Sequence, residues 1–149
     1  MKEIKNEMVN LLIHGYCTPR LVKLAQKLKT PSTTIQYNIK QMEKDGSILS
    51  YKAVFNYKKI DLGMCNYVFI NLNSEEYSDP ERIANKLSEY GNVESVDIMT
   101  GESGLIIKVR TKDMDEYYQF VKNVLSIKGI ANTHTITSIK QIKTEFVKT

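Results

Sequence analysis

The feature that most constrains the fold is a pair of Thr-Pro steps, Thr18-Pro19 and Thr30-Pro31. A threonine hydroxyl can accept a free N–H of a helix's first turn, and proline suits the first helical position, where no N–H is needed. Each step therefore predicts a helix start, with Thr18 and Thr30 as N-caps. The second helix would end at Gly46, a residue typical of a helix C-terminus. Two short helices joined by a tight turn indicate a helix-turn-helix.

The second of these helices has one apolar face and one polar face. Ile35, Ile39 and Met42 recur at helical spacing and are predicted to point inward. The opposite face carries no acid and offers hydroxyls, an amide and an ammonium, groups that contact phosphates and base edges in a DNA major groove. The candidate DNA-binding residues are Ser32, Thr33, Thr34, Gln36, Tyr37 and Lys40. The plain alternative is a solvated helix face that binds nothing.

Charge is distributed unevenly along the chain. Residues 1–60 hold eleven Lys and Arg against four acids, a net charge of +7, whereas the rest has −3 and the whole chain +4. Phosphate neutralisation provides most non-specific DNA affinity, so only the first part is expected to meet a polyanion. The charge step near residue 60 also favours two small domains over one.

Composition and cysteine usage favour a cytoplasmic protein. No stretch approaches the roughly 20 apolar residues of a membrane-spanning helix, and the first residues lack the apolar core of a signal peptide. Cys17 and Cys65 fall in separate halves without metal-ligand spacing, and only His14 and His134 could join them. We expect reduced thiols, no metal, no cofactor and no membrane partner.

The first part of the chain is predicted to be a three-helix head. A helix over residues 3–14 precedes the helix pair and completes a DNA-binding domain of residues 1–47. Residues 47–55 are rich in branched and aromatic side chains and are predicted to be extended, as a wing or a connecting strand. Together with a turn at Gly63 they form a hinge strand and linker over residues 48–63.

Residues 64–149 show strand and helix patterns in the order β-α-β-β-α-β. The predicted strands are residues 65–72, 93–99, 105–110 and 133–142, and the helices follow Asp79-Pro80 and Asp113. Ile136 and Ile139 break strict alternation, which indicates a bulge or face switch in the last strand. The fold class is therefore α+β, with a ferredoxin-like domain whose antiparallel sheet is covered by helices on one face.

The first strand of this domain is apolar on both faces. Val68, Ile70 and Leu72 would point to one side, and Tyr67 and Phe69 to the other. Because the side without helices needs a partner, we expect the domain to dimerise through its sheet.

Short motifs recur along the chain in a fixed order. In the first half they are Leu24-Ala25, Ile35, Ile39-Lys-Gln-Met-Glu-Lys-Asp-Gly-Ser-Ile48, Tyr51 and Leu62-Gly63. In the second half they are Gly91-Asn-Val93, Thr100-Gly101, Lys128-Gly129-Ile130 and Thr133-His-Thr135. In this order and spacing the motifs resemble the Lrp/AsnC (feast/famine) transcription regulators of archaeal type. The resemblance covers about residues 4–143. It implies dimers, often assembled into octamers, that bind promoter DNA and sense amino acids at contacts between dimers.

The resemblance also implies a ligand-sensing and oligomerisation domain of the RAM type, with an effector site on one loop and one strand. The residues carried over are Thr100, Gly101, Glu102, Ser103, Gly104, Thr133 and Thr135. Ser103 and Gly104 stand where the family commonly has an aromatic residue and an aspartate, so this loop would offer an amino acid different contact groups. Glu102 could accept an ammonium; alternatively, both glycines serve only a tight turn. In the recognition helix, Asn38 replaces the usual arginine.

The sequence therefore predicts a sequence-specific, DNA-binding transcription regulator that reads a pseudo-palindromic site as a dimer or higher oligomer. The alternative is an architectural, chromatin-like protein with little sequence preference and no effector. An enzyme is not expected, because Ser103 has no base near it in sequence and neither paired carboxylates nor a metal-ligand cluster occur.

Overall fold

A computed structural model of the chain describes residues 2–76 and 79–143. The chain divides into two compact units between Val54 and Phe55, a point inside the predicted linker.

The first unit contains the three predicted helices. They are α1 (Lys2–Ile13), α2 (Leu21–Leu28) and α3 (Ser32–Lys44). The second and third helices pack together and bury Ala25 and Ile35. Ile39 is half-buried, but Met42 is 43% exposed, so its predicted inward position is wrong. With eight residues against thirteen, α2 is too short to cover the last turn of α3.

The predicted N-caps Thr18 and Thr30 are wrong. The helices begin after Arg20 and Pro31, and neither of these residues makes a capping side-chain hydrogen bond. Pro31 remains extended, with ψ of 141°, and only its carbonyl belongs to the helix. The Thr30 hydroxyl donates instead to the Leu28 carbonyl (3.0 Å), where it satisfies an acceptor at the end of α2. The hydroxyl is thus used by the preceding helix.

Residues 47–55 do not form the predicted strand. A strand needs a paired neighbour, and the described part of the first unit holds no other strand. The segment leaves α3 through Gly46, whose φ of +79° suits glycine, and the Ile48 N–H donates to the Met42 carbonyl (2.9 Å). Without a neighbouring strand, two apolar side chains of this segment stay exposed, Leu49 at 91% and Val54 at 55%.

The second unit has the predicted ferredoxin-like arrangement. Its elements are β1 (Met64–Leu72), α4 (Pro80–Ser88), β2 (Val93–Ile98), β3 (Leu105–Thr111), α5 (Met114–Leu125) and β4 (Ile130–Thr137). The sheet order is β2-β3-β1-β4 and every pair is antiparallel. At the start of α5, the Asp113 carboxylate accepts the Glu116 N–H (3.0 Å), which confirms this cap.

The last strand is displaced from its prediction. It begins at Ile130 and ends at Thr137, and its register shift lies opposite Asn71 and Leu72, at its start. Pairing ends because Thr137 already faces Asn66, close to where β1 begins. The bulge expected near Ile136 and Ile139 is therefore wrong, and Ile139 is 98% exposed.

Both helices of this unit cover the same face of the sheet, as predicted. The core between the sheet and the helices consists of Val68, Ile70, Leu72, Ile83, Leu87, Leu105, Ile107, Val109, Tyr117, Phe120 and Val124. The opposite face, the open face of the sheet, carries Tyr67 and Phe69 in β1, Ile106 in β3 and Ile136 in β4. These four side chains are partly or largely exposed.

Candidate DNA-binding helix and effector loop

All six candidate DNA-binding residues are exposed on α3. They are Ser32, Thr33, Thr34, Gln36, Tyr37 and Lys40. Helical geometry aligns Thr33, Gln36, Tyr37 and Lys40 on one side and leaves Ser32 and Thr34 on its flanks. The Asn38 amide donates to the Thr34 carbonyl (2.8 Å), so this side chain binds its own helix.

The acids near the end of α3 already have partners within the first unit. Glu43 accepts a hydrogen bond from the Tyr51 hydroxyl (2.9 Å). Asp45 accepts the Ser47 N–H (2.8 Å), and hydrogen bonding from Ser47 lowers the pKa of Asp45. The outer face of α3 between Ser32 and Met42 carries no acid.

Lys44 lies one turn beyond Lys40 on the same side of α3 and is exposed. Lys44 was not among the predicted DNA-binding residues, although its spacing of four residues from Lys40 is visible in the sequence. Two ammonium groups therefore follow one another along the outer face.

The loop between β2 and β3 is closed by a hydrogen bond from the Met99 N–H to the Gly104 carbonyl (2.9 Å). Thr100, Gly101 and Glu102 are exposed, and Ser103 is half-buried. Gly101 has φ of +126°, a conformation that favours glycine.

Gly104 is buried against β1 and has a packing role. A Cβ atom at this position would lie 3.2 Å from Leu72 Cδ1 and 3.3 Å from Leu72 Cγ. The absence of a side chain at Gly104 thus allows the loop to pack closely on β1.

The two candidate threonines of β4 have different surroundings. Thr133 pairs with Ile70, which also pairs with Leu105, the residue directly after the loop. Thr133 and the loop therefore lie at the same end of the sheet. Thr135 pairs with Val68, further from that end, and its hydroxyl is hydrogen-bonded to the Tyr117 hydroxyl. The structure thus places Thr133 at the same end of the sheet as the loop, two strands away, and gives Thr135 an internal partner.

The described residues show no helix long and apolar enough to cross a membrane. Within the same ranges, no group of three His, Cys, Asp or Glu side chains could hold a metal ion.

Sequence comparison identifies relatives of this chain. Residues 65–147 match the family model of the Lrp/AsnC ligand binding domain. An uncharacterised HTH-type transcriptional regulator from Pyrococcus furiosus is 31% identical over 126 residues, which is 84% of each chain. The HTH-type transcriptional regulator FL11 from Pyrococcus horikoshii is 24% identical over 143 residues, covering 96% of this chain and 92% of that protein.

Solved structures share the fold at lower sequence identity. An AsnC family transcriptional regulator from Agrobacterium tumefaciens superposes with a TM-score of 0.76 at 23% identity, covering 99% of this chain and 97% of that one. A transcriptional regulator from Neisseria meningitidis, crystallised as a complex with L-Met, gives 0.71 at 20% identity, covering 93% and 88%. The family model and the Pyrococcus relatives together show that this chain belongs to the Lrp/AsnC family of transcription regulators.

Proposed function

We propose that this regulator binds specific DNA sites as a dimer, with α3 of each protomer in a major groove. The observation that carries the proposal is the acid-free outer face of α3, which is exposed along its length within a basic part of the chain. In this proposal, residues 1–47 bind DNA, residues 48–63 connect the two domains, and residues 64–149 bind a ligand and form the oligomer. The alternative of a chromatin-like coating protein is not favoured by the relatives, which are named as transcriptional regulators.

Side chains on α3 have different proposed roles. The Gln36 amide can make a bidentate contact with an adenine edge. Ser32, Thr33, Thr34 and Tyr37 offer hydroxyls that can reach phosphates or base edges. Lys40 lies one turn further on and would act as a point charge on the DNA backbone.

We expect the dimer to form through the open face of the sheet. Phe69 lies at the centre of this face, between Ile106 and His134 in the sheet register, and only part of it is covered within one protomer. Burying these apolar side chains against a second copy would stabilise the pair at roughly 25 cal/mol per Å² of apolar area.

Phe69→Asp should convert a dimer into a monomer, because it would place a carboxylate in an apolar contact. Light scattering at micromolar concentration measures the change. The matched control is Tyr118→Asp, which introduces the same charge at an exposed aromatic position of α5, on the other side of the sheet. A wild-type chain that is a stable monomer would contradict the proposed dimer.

The proposed effector is a small molecule of the amino-acid class, bound near the loop of residues 100–104 and Thr133. Support comes from the family model, which describes a ligand binding domain, and from the Neisseria relative solved with L-Met. The exposed segment Thr100, Gly101 and Glu102 could present backbone N–H groups to a carboxylate and a carboxylate to an ammonium. Ser103 and Gly104 would complete the loop. Thr135 could contact the effector only after the hydrogen bond between its hydroxyl and the Tyr117 hydroxyl is broken.

Footprinting on the DNA around the chain's own coding region, with and without a panel of amino acids, tests function and effector together. We expect protection of discrete sites at protein concentrations that leave neighbouring DNA free. An amino acid that acts as effector should shift the half-protection concentration. Uniform protection without preferred sites would instead support the coating protein. If no amino acid shifts the half-protection concentration at millimolar concentration, the loop of residues 100–104 is only a turn and binds no amino acid.

A further inference from the structure

A buried arginine on the open face of the sheet joins segments that are far apart in the sequence. Arg110, in β3, pairs with Cys65 of β1 and is only 4% exposed. Its Nε donates to Glu94 Oε2 (2.6 Å) and its Nη2 donates to Gln141 Oε1 (2.6 Å). One guanidinium therefore connects β3 with β2 and with the segment that follows β4.

The same guanidinium stacks on the linker. Its carbon lies 3.9 Å from the centroid of the Tyr57 ring, within the range of a cation–π contact. Tyr57 begins a single 3-10 turn, Tyr57–Lys59, shortly after the division between the two compact units. The side chain is half-buried, so the contact is shielded from water on one side.

Each partner of Arg110 is itself held in place. Glu94 also accepts a hydrogen bond from Lys108 Nζ (3.0 Å), and Gln141 Nε2 donates to Cys65 Sγ (3.5 Å). A buried charge is tolerated only when it is paired and hydrogen-bonded, and here a carboxylate, an amide oxygen and an aromatic face surround it. Arg110 is thus a fixed attachment point rather than a solvated surface charge.

We propose that Arg110 is a positioning residue for DNA binding: by stacking on Tyr57 it fixes where the linker joins the sheet and so sets the spacing between half-sites that the dimer accepts. This inference rests on the proposed function, because only a dimer with two heads has a spacing preference.

The length of the linker gives the reason. While Tyr57 is stacked on Arg110, the segment that connects α3 to the second unit ends at residue 57. Without the contact, the chain is next held in the sheet at Met64, where β1 begins. The seven additional residues include a turn closed by the Leu62 N–H on the Tyr57 carbonyl (3.0 Å), and they would add at most roughly 20–25 Å of reach in each protomer once that turn also opens. Half a turn of DNA is roughly 17 Å, so a freed linker would span spacings that the held linker cannot.

The test measures binding of the full-length chain to DNA with two copies of its selected half-site, whose separation changes in single base-pair steps over more than one helical turn. Tyr57→Leu removes the ring while keeping apolar bulk, and Tyr57→Phe is the matched control that keeps the stacking. Arg110 itself is left intact so that Glu94 keeps its partner. Thermal melting shows that each variant is folded.

We expect wild type and Tyr57→Phe to prefer the best spacing over one half a turn away by at least about tenfold, a difference of about 1.4 kcal/mol. Tyr57→Leu should reduce this preference to less than about threefold while keeping its affinity for a single half-site. If Tyr57→Leu retains the wild-type spacing preference, the positioning role is wrong. If wild type shows no preference for its selected half-site over random DNA, the proposed function fails and this inference fails with it.

Discussion

Replacing Gln36 with alanine is expected to reduce the preference for the best DNA site by about 1–3 kcal/mol per half-site, with little change in non-specific binding. The reason is that a glutamine amide on an exposed recognition helix can pair with an adenine edge, whereas alanine cannot. Binding to a selected site and to random DNA measures both quantities. Gln119→Ala, at an exposed position of α5 in the second unit, is the matched control and should change neither.

Lys40→Ala serves as the contrasting variant on the same face. A phosphate contact carries no sequence information, so its loss should weaken binding to all DNA alike. The slope of log affinity against log salt should fall by about one unit for each phosphate contact removed. If both variants keep the wild-type affinity and salt slope, α3 does not lie in the groove.

Arg110→Ala is expected to lower the free energy of unfolding by about 1.5–3 kcal/mol, because it removes the charge-assisted hydrogen bonds from the buried guanidinium to Glu94 and Gln141, while Lys108 remains as a partner of Glu94. Chemical denaturation measures the change. The matched control is Lys108→Ala, which removes the longer of the two ion pairs of the same carboxylate (3.0 Å against 2.6 Å) and should have the smaller effect. If both variants lose the same free energy of unfolding, Arg110 is not the more important of these two partners of Glu94.

The same network makes a prediction for pH. Burial alone would raise the pKa of Glu94, but hydrogen bonds and charge from Arg110 and Lys108 outweigh it and lower the pKa below its ordinary value of 4.5. A carboxyl with a lowered pKa in the folded state stabilises the protein above its unfolded pKa, and this contribution disappears as the pH falls through the folded value. The contribution should therefore be complete near pH 7 and decline below pH 4.5.

The variant Glu94→Gln isolates this effect. At pH 7 it should be less stable than wild type by about 1.5–3 kcal/mol, since hydrogen bonds to a charged group are worth that much. The difference should shrink as the pH is lowered below 4.5. The control is Glu89→Gln, at a likewise exposed position for which the structure describes no ion pair. A Glu94→Gln difference that stays constant down to acid pH would mean that the ion pair does not contribute as described.

Much of the fold was predictable because its signals are local. The order of the elements followed from hydrophobic periodicity, and Asp113 with Glu116 marked a helix start that the structure confirms. Thr30 carries the same kind of local signal, but its predicted N-cap is wrong, because a hydroxyl can hydrogen-bond to the preceding helix as well as to the following one. The end of β4 could not be predicted, because it depends on where its pairing partner β1 begins.

The candidate sites also contain features that local sequence patterns predict and features that they do not. The polar face of α3 follows from helical spacing alone, and the structure exposes all of its candidates. Close packing of Gly104 on Leu72, the bond between Thr135 and Tyr117, and the stacking of Arg110 on Tyr57 join residues far apart in sequence. No local pattern marks such contacts, so the role of Arg110 could not be predicted from the sequence.

The most direct test of the central claim is the affinity of the wild-type chain for a site selected from random DNA, compared with its affinity for unselected DNA at the same salt concentration. We predict a preference of at least about 10³-fold and a selected site that is a pseudo-palindrome, with half-sites a whole number of helical turns apart. Equal affinity for selected and unselected DNA, or selected sites without two-fold symmetry, would contradict it.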